Sequence, residues 1–222
     1  MKRYRVEWFS KGAQKQCGCK VIIDVFRASS FIVTALSLGA GEIIPVKNTM
    51  AAFEMKRKMK NGLLTGERKT RRINNFDFGN SPAELLERSD EIKGRTFIHR
   101  SSAGSVVMRS AGSALIGSVL NAKAIAERIA EKKEICFVCC GFENKSFALE
   151  DLYGVGCIIN HLNHRPDNDY AIIAKNVERE DVLKCDGTKR LREHGLENDV
   201  GFSLERDRFN VVPVLDGGRI TL

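Results

Sequence analysis

The chain is poor in the features that mark several functional classes. It has one Trp and three Tyr among 222 residues, and no aromatic-rich basic stripe on which bases would stack. No apolar run is long enough to cross a bilayer, because the one after Ser30 is broken at Gly41 and Glu42. The N-terminus, MKRYRVEWFSKGAQKQ, lacks the apolar segment of a secretory signal. There is no repeat, low-complexity linker, P-loop or GxSxG elbow. GVGC after Tyr153 falls inside an expected helix, so it is not a nucleotide fingerprint.

The seven cysteines do not make a zinc site, since no second CxxC completes the one at Cys136 and Cys139. That motif sits in the β-run ICFVCC, where alternation sends its two thiols to opposite faces. An odd count, partly within a core strand, argues against a secreted disulfide framework and for packing thiols in a reducing cytoplasm. The formal net charge is +8, which favours anionic ligands. Nucleic acid and small phosphates or sulfonates both meet that description. Lys56, Arg57, Lys58 and Lys60 cluster on one expected helix and read as its solvated face.

Hydrophobic periodicity gives an alternation of strands and helices. Lys2 to Trp8 is a strand or an arm, and KGAQKQCG reads as a loop. VIIDV is an almost continuous apolar run, the pattern of a strand covered on both faces. Ser29 or Ser30 can cap the helix that follows, and Gly39 or Gly41 can end it. EIIPV, GLLTGER, GRTFIHR, ALIGSVL and EICFVCCGF are further strands, with helices expected over NTMAAFEMKRKMKNG and NAKAIAERIAEKK. FDFGNSP is a turn in which Ser81 caps a helix and Pro82 starts it. From ENKSFALED onward an apolar helix follows, then a helix-rich tail and a terminal strand or hairpin, NVVPVLDGGRITL. The expected class is α/β with a mainly parallel or mixed sheet, forming one domain over residues 1–222, with two subdomains as the alternative.

Several strand ends carry polar groups: Asp24 with Arg27, Glu67 with Arg68, His99 to Ser102, and Gly141 to Glu143. In a parallel sheet such ends share one edge, where ligands bind. Carboxylates hold a hard cation, and arginines or backbone N–H groups take the charge of a phosphoryl group, so the set suits metal-assisted phosphate chemistry. The turn Ser101, Ser102, Gly104, Ser105 can form an anion nest at a helix start. Each feature also has a structural reading. Asp24 suits a local cap, the serines suit a turn, and Glu150 and Asp151 complement a helix dipole. His161 and His164 lack a third ligand, and His99 fits a core or a site.

VIIDVFRASSFIVTALSLGAGEIIPV, LLTGER, FDFGNSPAEL, ALIGSVLNAKAIAE and CGFENKSFALEDLYGVGCII resemble, in that order, the 2-phosphosulfolactate phosphatase family. The run NDVGFSLERDRFNVVPVL is similar to that family's tail, so the resemblance covers nearly all of the chain from Val21. It implies a three-layer α/β/α fold outside the haloacid-dehalogenase phosphatases. It also implies a Mg²⁺-dependent hydrolase that releases phosphate from (R)-2-phospho-3-sulfolactate in coenzyme M biosynthesis. Asp24, Arg27, Ser29 and Ser30 fall in the first motif, Glu67 closes the second, Asp77, Gly79, Asn80 and Ser81 form the third, and Glu150 and Asp151 lie in the last. The chain departs from the family pattern at RSSAGS, where Ala103 replaces an amide residue, and at GFENK, where Phe142 replaces a small hydroxyl residue.

On this reading Asp24 is a metal ligand or the nucleophile, and Arg27 and Glu67 complete the catalytic set. Glu150 and Asp151 join Asp24 as metal ligands, and Glu67 or Asp151 can instead serve as general base. Ser29, Ser30, Asn80, Ser81, Arg100, Ser101, Ser102, Gly104 and Ser105 are the candidate substrate contacts. The expected partner is a small anionic phosphorylated substrate, not nucleic acid or membrane, in the cytoplasm. A homo-oligomer is compatible with the apolar helix from Phe31 and with the tail. The rivals are a phosphatase of the same fold for another phosphorylated acid, a nucleic-acid-binding protein, and a non-catalytic anion sensor.

Overall fold

Val21, Ile22 and Ile23 follow one another and are all fully buried. Strand alternation sends Val21 and Ile23 into one core and Ile22 into another. The run from Ile135 divides the same way, with Ile135, Phe137 and Cys139 on one side and Val138 and Cys140 on the other. A sheet therefore lies between two apolar layers. This is the architecture of the computed structural model, which describes residues 1–222.

The chain begins β1 (Arg3–Trp8), α1 (Phe9–Gln14), β2 (Cys19–Ile23), α2 (Ala28–Ser37), β3 (Glu42–Pro45), α3 (Thr49–Lys58) and β4 (Gly62–Arg68). It continues β5 (Arg71–Arg72), α4 (Pro82–Glu87), β6 (Thr96–Arg100), α5 (Gly104–Ala111), β7 (Ala114–Gly117), α6 (Ala122–Ile129), β8 (Glu134–Cys139) and α7 (Leu149–Ile159). The C-terminal part is mainly helical: β9 (Arg165–Pro166), α8 (Asp169–Ala174), α9 (Arg179–Val182), α10 (Asp186–Glu193), α11 (Glu197–Ser203), then β10 (Val214–Asp216) and β11 (Arg219–Thr221). The fold is α/β, as its strand–helix alternation implies. Apolar residues of α6 and α7 fill one core, and those of α1, α2 and α5 fill the other.

The sheet has the order β5-β4-β6-β3-β11-β10-β7-β2-β8-β1-β9. β4, β6 and β3 are mutually parallel neighbours, and so are β7, β2, β8 and β1. The terminal hairpin lies between these blocks, with β10 antiparallel to β7 and β11 antiparallel to β3. The sheet is thus mixed. The polar ends of β2, β4, β6 and β8 nevertheless come together at one place.

Four local expectations are corrected. KGAQKQCG is not a loop throughout. Phe9–Gln14 forms α1, which buries Ala13 and packs on α5. Ser29 and Ser30 do not cap α2 but lie in its first turn, where Asp24 Oδ1 accepts the Ala28 N–H instead (3.1 Å). The apolar helix from Phe31 offers no interface, because Ala28 through Leu36 are all buried within the chain. Cys17 and Cys136 form a disulfide, with Cα atoms 6.2 Å apart. Sequence separation hid that pair, whereas the β2–β8 register sets Lys20 opposite Cys136. Cys139, Cys140 and Cys157 are buried packing thiols, as expected.

His99 belongs to the core. It is fully buried, stacks on Phe31 with ring centroids 5.0 Å apart, and its Nδ1 lies 3.1 Å from Thr65 Oγ1. Burial, with repulsion from Arg100, lowers its pKa from 6.5 to about 3. The unfolded chain therefore binds a proton near pH 6.5 that the folded chain refuses. The stability this gives is full above that pH and is lost as pH falls toward about 3. Chemical denaturation of wild type and His99→Asn between about pH 7 and pH 4 checks this. Wild type should lose on the order of 3 kcal/mol more than the variant across that range; parallel profiles would refute it.

Candidate active site

The cleft is built where β2 ends. Asp24 follows the strand directly, and its carboxylate closes the start of α2 through the Ala28 N–H. Ser29 Oγ accepts from the Asp24 N–H (3.1 Å) and donates to the Asp24 carbonyl (2.7 Å), which fixes the backbone beneath the carboxylate. Gly104, at the start of α5, passes so close that a Cβ there would sit 2.7 Å from Asp24 Oδ2. Asp24 is 7% exposed. Burial raises its pKa from 3.8 to about 7. Glu67 and Glu150 add repulsion, while the Ala28 N–H and Arg27 pull in the opposite direction.

Asp151 joins two strand exits. Its Oδ1 accepts the Val25 N–H and its Oδ2 the Gly141 N–H, each at 2.9 Å. Its pKa is pushed well up by burial, then by Asp24 and Glu150. Glu150 is also buried and raised for the same first reason. The Cys185 thiol lies 3.5 Å from its Oε2, and a Cβ on Gly187 would stand 2.3 Å from its Oε1. Only glycine lets α10 approach that acid so closely. Glu67, at the end of β4, accepts the Ser102 N–H (2.6 Å) and the Thr70 N–H (2.9 Å).

Arg27 is committed within the protein. Its Nη1 meets Asp199 Oδ2 at 2.7 Å, both side chains being almost wholly buried, and its Nη2 donates to the Thr70 carbonyl (2.7 Å). Asp199 also accepts from the Ser81 hydroxyl, so it ties α11 to the start of α4.

Asp24, Arg27, Glu67, Asn80, Ser101, Ser102, Glu150 and Asp151 line one cleft. Asn80 is buried there and its Oδ1 has no partner. Ser29, Ser30, Ser81, Arg100, Gly104 and Ser105 stand outside the lining. Ser30 hydrogen-bonds Val25 O and Ser118, and Ser81 caps α4. Arg100 donates to Glu67 O and to Ser102 Oγ (3.2 Å), while Ser105 donates to His99 O (3.1 Å). The N–H groups of Ser101 and Ser102 are taken by Ser105 Oγ and Glu67, which leaves neither for an anion nest. Asp77 and Gly79 serve the turn, accepting from Leu64 N–H and donating to Glu84. His161 and His164 lie beyond the end of α7 and contact Asp207 and Lys132 respectively.

The lining adds residues that sequence reasoning missed: Lys69, Thr70, Gly187 and Arg190. It also places Phe142 and Glu143 of the GFENK turn at the cleft. The lining acids are Asp24, Glu67, Glu143, Glu150 and Asp151, against Arg27, Lys69 and Arg190. No three His, Cys, Asp or Glu side chains are arranged as a ready metal cage. The donor set nevertheless fits Mg²⁺. That ion takes one or two carboxylates and completes its shell with water and substrate phosphate, and it relieves the repulsion among desolvated acids.

A family profile described as 2-phosphosulpholactate phosphatase matches residues 7–218. A probable 2-phosphosulfolactate phosphatase of Thermotoga maritima is 38% identical over 212 residues, covering 91% of each chain. One from Caldanaerobacter subterraneus is 33% identical over 214 residues, covering 89% of this chain and 88% of its own. The 2-phosphosulfolactate phosphatase of Methanocaldococcus jannaschii is 32% identical over 211 residues, covering 90% of each.

The raised Asp24 pKa carries a stability consequence. The unfolded chain ionises this group near pH 3.8, the folded chain only near about 7. The charge therefore costs stability progressively between those values and fully above them. In chelator, Asp24→Asn should melt above wild type at about pH 8, by an amount on the order of a few kcal/mol, with the gap closing below about pH 4. Thermal melts across that range test it, and a variant less stable than wild type at the upper pH would contradict it.

Proposed function

The chain belongs to the 2-phosphosulpholactate phosphatase family, and from that premise we propose that it hydrolyses (R)-2-phospho-3-sulfolactate to 3-sulfolactate and phosphate. We place the reaction in the cytoplasm, in coenzyme M biosynthesis, with Mg²⁺ as cofactor. The observation that carries the proposal is convergence. Residues from four separate motifs, Asp24, Glu67, Asn80 and the Glu150–Asp151 pair, line one cleft.

In hydrolysis a water oxygen bonds to phosphorus as its proton passes to a base, the bridging P–O bond breaks, and the leaving oxygen takes a proton from solvent and departs as a hydroxyl. Asp24 Oδ1 is held by the Ala28 N–H, which leaves its other oxygen for the metal, and Glu67 is the base that takes the proton of the attacking water. Asp24 and one of Glu150 and Asp151 would hold Mg²⁺ at this edge of the cleft, with the Val25 and Gly141 N–H groups fixing the Asp151 carboxylate. When bound, the ion supplies positive charge that polarises the phosphoryl oxygens. Arg27, held by Asp199, stands in the wall, and Asn80 offers an unpaired side-chain oxygen that accepts a hydrogen bond.

The acidic lining favours a small substrate bound with a metal over nucleic acid. Polyphosphate would meet five lining acids and three lining bases. No helix is long and apolar enough to cross a membrane. The rival is a phosphatase of the same fold acting on another phosphorylated acid, so substrate choice needs a panel.

Phosphate release from 2-phosphosulfolactate and similar phosphorylated acids, with Mg²⁺ and with chelator, tests the proposal. Turnover should require the metal and be highest on phosphosulfolactate. Asp24→Asn should reduce kcat by at least about 100-fold. Near-normal turnover by the variant, or none by wild type on any member of the panel, would overturn the assignment.

A further inference from the structure

The cleft has three cations, and they are not equivalent. Arg27 is bound to Asp199 and to the Thr70 carbonyl. Lys69 is an exposed side chain on a turn whose backbone is left-handed at Lys69 and Thr70 (φ 51° and 71°). Arg190 differs from both. It lies on α10 at the cleft, with its guanidinium carbon 3.6 Å from the centroid of the Phe142 ring.

No carboxylate pairs with Arg190. Asp186, one helical turn earlier, is paired with Lys189 at 3.3 Å. Stacking on an aromatic face fixes the guanidinium plane and removes water from one side while leaving the full charge and the N–H edge available. The platform is itself anchored. The Phe142 N–H donates to the Ser146 carbonyl (2.8 Å), and Asn144 in the same turn accepts from Ser10 N–H (2.7 Å) on α1. At its base α10 cannot drift from the acids, because Gly187 lies against Glu150. An unpaired, oriented guanidinium lining the same cleft as the buried acids suits a planar or tripodal oxyanion on the substrate that is not the one hydrolysed.

We infer that Arg190, held flat by Phe142, is the specificity-determining residue that takes the substrate's second strong anion, the sulfonate of 2-phosphosulfolactate. Phe142 acts as a positioning residue. This rests on the phosphatase reading above. Arg190 chooses among phosphorylated acids and does not take part in P–O cleavage.

The test compares kcat/KM for 2-phosphosulfolactate with that for 2-phospholactate, which has a hydrogen in place of the sulfonate. The full chain is used with Mg²⁺ present. A ratio of two substrates measured on one preparation does not depend on how much of it is folded. Arg190→Gln should lower that ratio by about 10- to 100-fold, the loss of one charge-assisted contact. Arg190→Lys, which keeps the charge but not the planar stack, and Phe142→Leu should give smaller falls, chiefly through KM for the sulfonate. A ratio unchanged in Arg190→Gln, while wild type releases phosphate from both substrates, overturns this inference and leaves the phosphatase reading intact. Wild type inactive on both would bring down the reading and the inference together.

Discussion

Several carboxylates are buried side by side, and most other features of the cleft follow from that constraint. Asp24, Glu150 and Asp151 are each at most 7% exposed, and burial raises the pKa of all three. Water would otherwise solvate these groups, so the chain supplies substitutes. The Ala28 N–H serves Asp24, and the Val25 and Gly141 N–H groups serve Asp151. Those donors come from the backbone just after β2 and β8 and from the first residue of α2. The cost of the acids is thus borne by the two apolar cores that fix those strands. A site poised this way is unfavourable when empty of counter-charge, and the proposed Mg²⁺ would relieve that cost.

The C-terminal helices complete the site from a distance in sequence. α11 provides Asp199, which orients Arg27 across 172 positions. α10 provides Gly187 and Arg190. Removing either partner of the buried Arg27–Asp199 pair would leave an uncompensated charge, at a cost of roughly 3–5 kcal/mol. The helix-rich tail is therefore part of the cleft wall and not an appendage to the sheet. The hairpin that ends the chain plays the corresponding role in the sheet, where it joins the two parallel blocks.

Much of this was legible in the sequence because its signals are local. The apolar run at Val21 marked a two-faced strand. Ser81 capped the expected helix, and Asp24, Glu67, Glu150 and Asp151 fell where strand ends and helix starts meet. What escaped depends on long-range geometry. Ser29 and Ser30 have the composition of a cap, yet the cap is Asp24, because the helix begins one residue before them. Arg100 looked like a clamp but turns toward Glu67 O. Cys17 and Cys136 meet only through the register of β2 with β8. Arg190 and Asp199 lie on polar helix faces that resemble any solvated surface, and only tertiary packing distinguishes them.

Mg²⁺ binding reports most directly on whether the buried acids are a metal-dependent catalytic site. The measurement is the thermal midpoint of wild type and Asp24→Asn at about pH 8 as Mg²⁺ is raised from zero, with Ca²⁺-free buffer and no substrate. The expected result is a midpoint that climbs with Mg²⁺ in wild type and stays nearly level in the variant. A wild-type midpoint indifferent to Mg²⁺, or an equal climb in both proteins, would contradict it.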